Sequence, residues 1–248
     1  MTLRFVLVNP RNPLNIGAAA RAMGNFGFTD LAVVKPFAPV WQETKSAVGA
    51  ETIIQNAQSY ETLEDATAGC SLVVGTTAVR ERCRDRPVVD LPQLKPWLAK
   101  EFPSALTGAS IALVFGPEKT GLSAEHLACC HFWLTIPTHP NCPSMNLGQS
   151  VALCSYEWAR ALDAFRPGTP SDTRTDATVA QRRRLAQHAE DVMDAVGYLP
   201  FMSPEEKTTK IRDKLLHWRI RRQDVALLHG LFRFILKSRR NDGMRGNH

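Results

Sequence analysis

The apolar run Ile111–Phe115 stops dead at Gly116-Pro117, and this stop limits what the chain can become more than any other feature. A continuous apolar run cut by Gly-Pro is the mark of a strand buried in a parallel sheet and ending in a loop. After the loop Glu118–Leu122, Ser123 is placed to cap a short helix, with Glu125 in the first turn, where it suits the helix dipole. Phe132–Ile136 reads as a second strand, ended by Pro137. Residues Pro137–Pro143 carry three prolines and no apolar period, so they form a stiff loop. A long helix starts from Ser144-Met145-Asn146, with Leu147, Val151, Cys154, Trp158, Leu162 and Phe165 stepping by three or four. Two strands thus end in loops beside one helix start. Ligands of open α/β sheets bind at that kind of edge, beyond the carboxyl ends of the strands.

The preceding residues repeat the pattern. Phe5–Val8 is a short strand broken at Asn9-Pro10, and Asn15 is placed to cap a helix over Ile16–Phe26. That helix is crowded with small residues (Gly17, Ala18, Ala19, Ala20, Ala22, Gly24), which permit close packing. Arg21 is one long cation among them, and its plainest reading is a snorkelling surface arginine. Leu31–Val34 is a second strand, a short helix is expected over Thr44–Gly49, and an amphipathic helix over Tyr60–Ala68, closed at Gly69. Leu72–Gly75 is a third strand, followed by the small, hydrogen-bonding Thr76-Thr77-Ala78. Arg80, Arg82, Arg84 and Arg86 then alternate along a segment leaving the same sheet edge, either a solvated loop or a phosphate contact. No GxGxxG dinucleotide fingerprint occurs. Repeated strand–helix units with prolines at strand ends give an α/β fold with a parallel sheet covered on both faces.

Residues 167–181 have few apolar side chains and read as a linker between a body, 1–166, and a helical extension, 182–248. In the extension a helix is expected over Arg182–Val196, ended by Gly197. Ser203-Pro204-Glu205-Glu206 is a capping box opening a second, and a third spans about Asp224–Lys237, with residues 239–248 frayed. Charge divides the chain at nearly the same place. Residues 1–168 hold 14 Lys+Arg against 14 Asp+Glu, whereas 169–248 hold 16 against 10, the whole of the net charge of +6. A neutral body with a basic appendage points to a polyanionic partner in preference to a merely solvated tail. Arg182–Arg184, Arg219, Arg221 and Arg222 are the candidate phosphate contacts, and Trp218 among them is either core or a stacking platform.

No run approaches the roughly 18 apolar residues of a membrane span, and the apolar start MTLRFVLVNP is too short for a signal peptide. Six cysteines without a CxxC are expected to be reduced thiols in a cytoplasmic protein. His139 and Cys142 lack a second ligand pair, so no metal site is expected.

Three segments together, NIGAAARAMGNFG (15–27), LVFGPEKTGLS (113–123) and IPTHPNCPSMNLGQSVAL (136–153), resemble the three motifs of SPOUT-class RNA ribose methyltransferases. The VVGTTA strand and the tail KIRDKLLHWRIRRQDVALLHGLFRFIL further resemble members acting on tRNA. This resemblance implies a deep trefoil knot, in which the last strand and helix thread through a loop, an exception to the rule against knots. It implies a homodimer and S-adenosylmethionine held by Thr76, Thr77, Ala78, Gly116, Ile136, Pro143, Ser144 and Met145. It makes Arg21 catalytic, acting with the cofactor site of the other subunit. A guanidinium stays protonated at neutral pH, so Arg21 is expected to grip the phosphate beside the target ribose and stabilise the developing alkoxide. Ser144 and Asn146 would orient the hydroxyl, and Glu118 would fix the cofactor loop. The implied substrate is a cytidine or uridine ribose at the first nucleotide of the tRNA anticodon loop. The rivals are another RNA such as rRNA, base methylation through Cys142, and a non-catalytic RNA-binding protein.

Overall fold

Seven short runs pair side by side, all parallel, in a computed structural model that describes residues 2–37, 41–44, 46–78, 86–163, 176–218 and 220–245. The strands are β1 (Thr2–Val8), β2 (Asp30–Val34), β3 (Gln58–Tyr60), β4 (Leu72–Thr76), β5 (Val88–Asp90), β6 (Ser110–Phe115) and β7 (Phe132–Thr135). They stand in the order β3-β2-β1-β6-β4-β7-β5. Continuous apolar runs occupy the middle because a strand there is covered on both faces; Ile111, Ala112, Leu113 and Val114 of β6 are fully buried. Phe5 of β1 lies opposite Leu31 on one side and Leu113 on the other. At the first of these pairs of strands, Arg4 donates through Nε to Asp30 Oδ1 at 3.0 Å. The latest strand, β7, is not at an edge. It lies between β4 and β5, pairing Gly75 with Trp133 and Val89 with Leu134.

Around the sheet lie α1 (Pro13–Asn25), α2 (Glu51–Asn56), α3 (Leu63–Thr67), α4 (Leu94–Glu101), α5 (Ser104–Thr107), α6 (Ala124–Ala128) and α7 (Leu147–Ala161). The small residues of α1 serve close packing. A Cβ added at Gly148 of α7 would lie 2.8 Å from the Ala18 Cβ of α1, and one at Gly17 would meet Ser46 Oγ at 2.3 Å. Trp158, Phe5, Phe132 and Met23 are completely buried in the core between these layers.

Several local expectations are corrected. Helix α1 starts at Pro13, whose fixed φ suits a first turn, with Asn12 and not Asn15 as its cap. The described residues between 41 and 50 form turns and no helix; Gly49 sits at φ +77°, and the helix, α2, follows it. Tyr60 belongs to β3, in register with Val34, because pairing with β2 overrides the helical spacing; α3 opens only after Thr62, whose hydroxyl accepts from Asp65 N. Strand β5 and helix α4 were not legible in the sequence pattern.

The chain divides into two compact units, Met1–Thr173 and Arg174–His248. The second holds α8 (Val179–Val196), α9 (Pro204–His217) and α10 (Arg222–Arg245) around Leu185, Ala186, Ile211, Leu215, Ile220 and Val225. The capping box of Ser203 and Glu206 forms as expected, and Gly197 ends α8 in the left-handed region at φ +67°. Helix α8 starts earlier than expected, at Val179, because Thr178 and Gln181 make a further capping box. Helix α10 continues to Arg245, into the stretch 239–248 expected to fray, of which 246–248 lie outside the described residues. Of the expected linker, 167–181, residues 167–175 lie outside the described residues. Among the described residues no helix is long and apolar enough to cross a membrane.

The α1–α7 contact is tested by Gly148→Val. Because the added carbons meet Ala18 and not open space, stability should fall by about 2 kcal/mol, read as a lower urea midpoint at unchanged slope. An unchanged midpoint would mean that the two helices can part freely.

Candidate active site

Strands β6, β4 and β7 are neighbours and parallel, so the loops after them leave one edge of the sheet together. Between these loops lies a cavity of about 310 Å³. Thr76, Thr77, Ala78, Gly116, Ile136, Pro143, Ser144 and Met145 all line it, and so does Glu118. The lining also includes Phe115, Leu122, Leu134 and Leu147, an apolar floor of which Leu134 lies outside the three motif segments and the others were not singled out within them. Their only signal was position, at strand ends and at the first turn of the helix.

Each loop is pinned by its own hydrogen bonds. Thr76 Oγ1 donates to the Val114 carbonyl at 2.9 Å, and Thr77 N donates to the Leu134 carbonyl at 3.0 Å, which fixes the β4 loop to both neighbours. The β6 loop turns back through Gly121 N donating to the Pro117 carbonyl at 2.8 Å. In the β7 loop Thr138 Oγ1 donates to the Pro143 carbonyl at 3.1 Å, and Cys142 N donates to the His139 carbonyl at 2.9 Å. Gly116 is where backbone approaches backbone. A Cβ there would stand 2.3 Å from both Gly121 C and Leu122 N.

At the cavity rim a chain of side-chain hydrogen bonds joins three segments far apart in sequence. Asn15 Nδ2 donates to Glu118 Oε1 at 2.7 Å, and Asn146 Nδ2 donates to Asn15 Oδ1 at 3.1 Å. Asn146 Oδ1 in turn accepts from Gly148 N at 2.9 Å as the N-cap of α7. The early start of α1 is what frees Asn15 for this role; as a cap, its side chain would have been occupied by its own helix. Ser144 and Met145 lie in the loop before α7, which starts at Leu147. Arg21 is exposed on α1 and does not line the cavity.

The expected phosphate contacts fare unevenly. Arg80, Arg82, Arg84 and Arg219 lie outside the described residues. Arg86 and Arg182 are buried, 8% and 4% exposed, which withdraws them from a phosphate-facing surface. Arg182 sits against the second unit's core, where burial lowers its pKa and Asp176 opposes the shift. Arg183, Arg184, Arg221 and Arg222 are exposed, and Trp218 is 57% exposed, so it is no core residue. No cluster of metal-ligating side chains occurs among the described residues.

Comparison with known proteins defines the class. Residues 2–156 match the SpoU rRNA methylase family, and the chain belongs to it. It is 34% identical to the tRNA (cytidine/uridine-2'-O-)-methyltransferase TrmJ of Cronobacter sakazakii over 242 residues, 96% of this chain and 97% of that one. It is likewise 34% identical to TrmJ of Klebsiella pneumoniae over 92% of this chain and 94% of the relative. Among solved structures, TrmJ from Z. mobilis ZM4 superposes with a TM-score of 0.74 at 29% identity, covering 95% of this chain and 99% of that one.

The described cysteines differ sharply in environment. Cys142 is exposed in the β7 loop, whereas burial pushes the Cys130 and Cys154 thiols far up. Thiolate is the reactive form. Among the described cysteines, Cys142 should therefore be alkylated first by iodoacetamide at pH 8, with Cys130 and Cys154 untouched until unfolding, as peptide mass spectrometry would read. Labelling of Cys154 in the native protein would contradict the packing of α7.

Proposed function

We propose that the chain transfers a methyl group from S-adenosylmethionine to the 2′-hydroxyl of a tRNA ribose, that of cytidine or uridine at the first nucleotide of the anticodon loop. The observation that carries this reading is the cavity itself, where loops from three strands meet at the rim relay of Asn15, Glu118 and Asn146. An apolar floor of Phe115, Leu122, Leu134 and Leu147 suits an adenine ring, and the loop backbones and Ser144 supply polar partners to its edge. Thr76, Thr77, Ala78, Gly116, Ile136, Pro143, Ser144 and Met145 would hold the donor. Its positively charged sulfonium supplies an activated methyl group. The choice of tRNA draws on the named relatives, which match nearly the whole chain, and on the basic second unit.

The residues then act by positioning and electrostatics, which supply most of the barrier reduction in a transfer of this type. The bound donor would supply the methyl group to the ribose oxygen, whose hydroxyl proton would leave to solvent. Arg21, cationic at neutral pH, grips the neighbouring phosphate and steadies the developing alkoxide. Ser144 orients the hydroxyl. Asn146 acts with it by holding the start of α7, its oxygen occupied by the cap and its amide by Asn15. Glu118 fixes the β6 loop through Asn15.

A homodimer through α1 and α7 accompanies this reading. Leu14 on α1 and Leu153 and Tyr156 on α7 are 54%, 41% and 46% exposed, an apolar surface suited to a second copy. Across that surface Arg21 would serve the partner's cavity. A trefoil knot is supported by β7, which lies between β4 and β5, the two strands joined through residues 77–87. Buried thiols such as Cys130 and Cys154 suit work in the cytoplasm.

The reading is tested by methylating unmodified tRNA and mapping the product. The methyl group is expected on a ribose oxygen; a methylated base would favour Cys142 as a nucleophile instead. Arg21→Ala should lower the rate by a factor on the order of a hundred while calorimetric donor affinity stays within about twofold. Loss of donor binding in that variant would contradict the role given to Arg21. Gly116→Val should abolish donor binding, because its Cβ collides with the backbone of Gly121 and Leu122 and forces the loop to move. Unaltered affinity would show that the β6 loop does not shape the site.

A further inference from the structure

Helices α8 and α10 of the second unit pack against each other and bring basic side chains together from both sides. Arg184 and His188 are four residues apart on α8, and His229 and Arg233 are four apart on α10, a spacing that puts each pair on one helix face. With Gln187 and Asp191 they line a concavity of about 560 Å³. The two histidines meet directly, His188 Nδ1 to His229 Nδ1 at 2.8 Å, with Phe232 edge-on to His188. At that separation one ring donates and the other accepts, so at least one is neutral.

Acids and bases are sorted around α8. Glu190 faces α9, where its carboxylate accepts from Thr208 Oγ1 at 3.1 Å, and Asp194 pairs with Lys207 of α9 at 2.9 Å. Asp224 of α10 is used at that helix's start, accepting from Arg221 N. Asp191 is the carboxylate among the residues lining the concavity. Four basic groups therefore converge on a surface hollow with one acid beside them. Gathering like charges is unfavourable by itself, and an anion in the hollow would reverse the sign of that interaction.

We propose that Arg184, His188, His229 and Arg233 form a clamp for one phosphate group of an RNA backbone. It rests on the reading of the chain as a tRNA-binding enzyme and adds a specific subsite to it. Two guanidinium forks meet phosphate oxygens from opposite helices, and the imidazoles donate between them. Proton uptake accompanies binding. In the empty clamp, burial first and then the charges of His188, Arg233 and Arg184 hold His229 below the usual histidine value. A bound anion offsets those charges and raises it, so binding strengthens as pH falls and weakens as pH rises through the bound-state value. Asp191 opposes the anion.

The test uses the full-length protein and unmodified tRNA, with affinity read by fluorescence anisotropy across a salt series. Arg184→Ala with Arg233→Ala should weaken binding about tenfold and reduce the salt slope by about one, as expected for the loss of one phosphate contact. Asp191→Asn should tighten binding. Wild-type affinity should rise between pH 8 and pH 6, and His188→Gln with His229→Gln should flatten that rise. In a separate arm, inorganic phosphate alone is titrated while the histidine resonances are followed by NMR; they should shift in the wild type and stay still in the double arginine variant. Wild-type tRNA affinity and salt slope in that variant would overturn the proposal. If phosphate still shifted the histidines in that case, the hollow would take free phosphate and not RNA. A wild-type protein that binds no tRNA at all would instead overturn the tRNA reading on which the clamp rests.

Discussion

The placement of β7 beside β4, and of β4 beside β6, is the constraint on which the first unit depends. Parallel strands end at the same edge, so any three neighbours deliver their following loops to one place. Here the neighbours are strands four, six and seven of the chain, brought together by a crossover order that local sequence does not encode. Moving β7 to the sheet edge would carry the β7 loop, with Pro143, Ser144 and Met145, away from Thr76 and Gly116. The relay from Glu118 through Asn15 to Asn146 then fixes what the sheet order has assembled. It ties the loop after β6 to the first turns of α1 and α7, and Gly148 lets those two helices come close enough for its bonds to form.

Local signals with one physical cause were legible. Gly116-Pro117 ends β6 because proline cannot continue the ladder, and Ser203-Pro204-Glu205-Glu206 opens α9 because each residue suits its position at a helix start. The eight candidate donor contacts were named through resemblance to a family and fall around one cavity, which periodicity alone could not have predicted. What failed was decided by partners. Tyr60 joined a strand because β2 offered it an edge, and Asn15 turned to Glu118 because Pro13 had already started the helix. The burial of Arg86 and Arg182 belongs to the same class, since arginines in a basic segment give no local sign of which ones pack inward. The short β5 carries no motif at all, and within the motif segments nothing marks Phe115, Leu122 and Leu147 as the cavity floor.

Charge divides the labour between the units. The first, with 14 Lys+Arg against 15 Asp+Glu, is close to neutral and is built around an apolar-floored cavity; the second, with 16 against 9, carries the chain's positive charge and its own small core. Within the second, Glu190 and Asp194 of α8 are paired toward α9 while Arg184 and His188 gather toward His229 and Arg233 of α10. An apolar-floored cavity and a basic hollow call for different environments, and the chain keeps them in separate compact units.

Whether the edge where β4, β6 and β7 end is the donor site can be read from a crystal structure of the protein with S-adenosylhomocysteine, the demethylated product. The ligand is expected among the loops at Thr76–Ala78, Gly116–Leu122 and Ile136–Met145, with its adenine over the floor of Leu134 and Leu147. A well-ordered ligand bound anywhere else, with this cavity left to solvent, would contradict it.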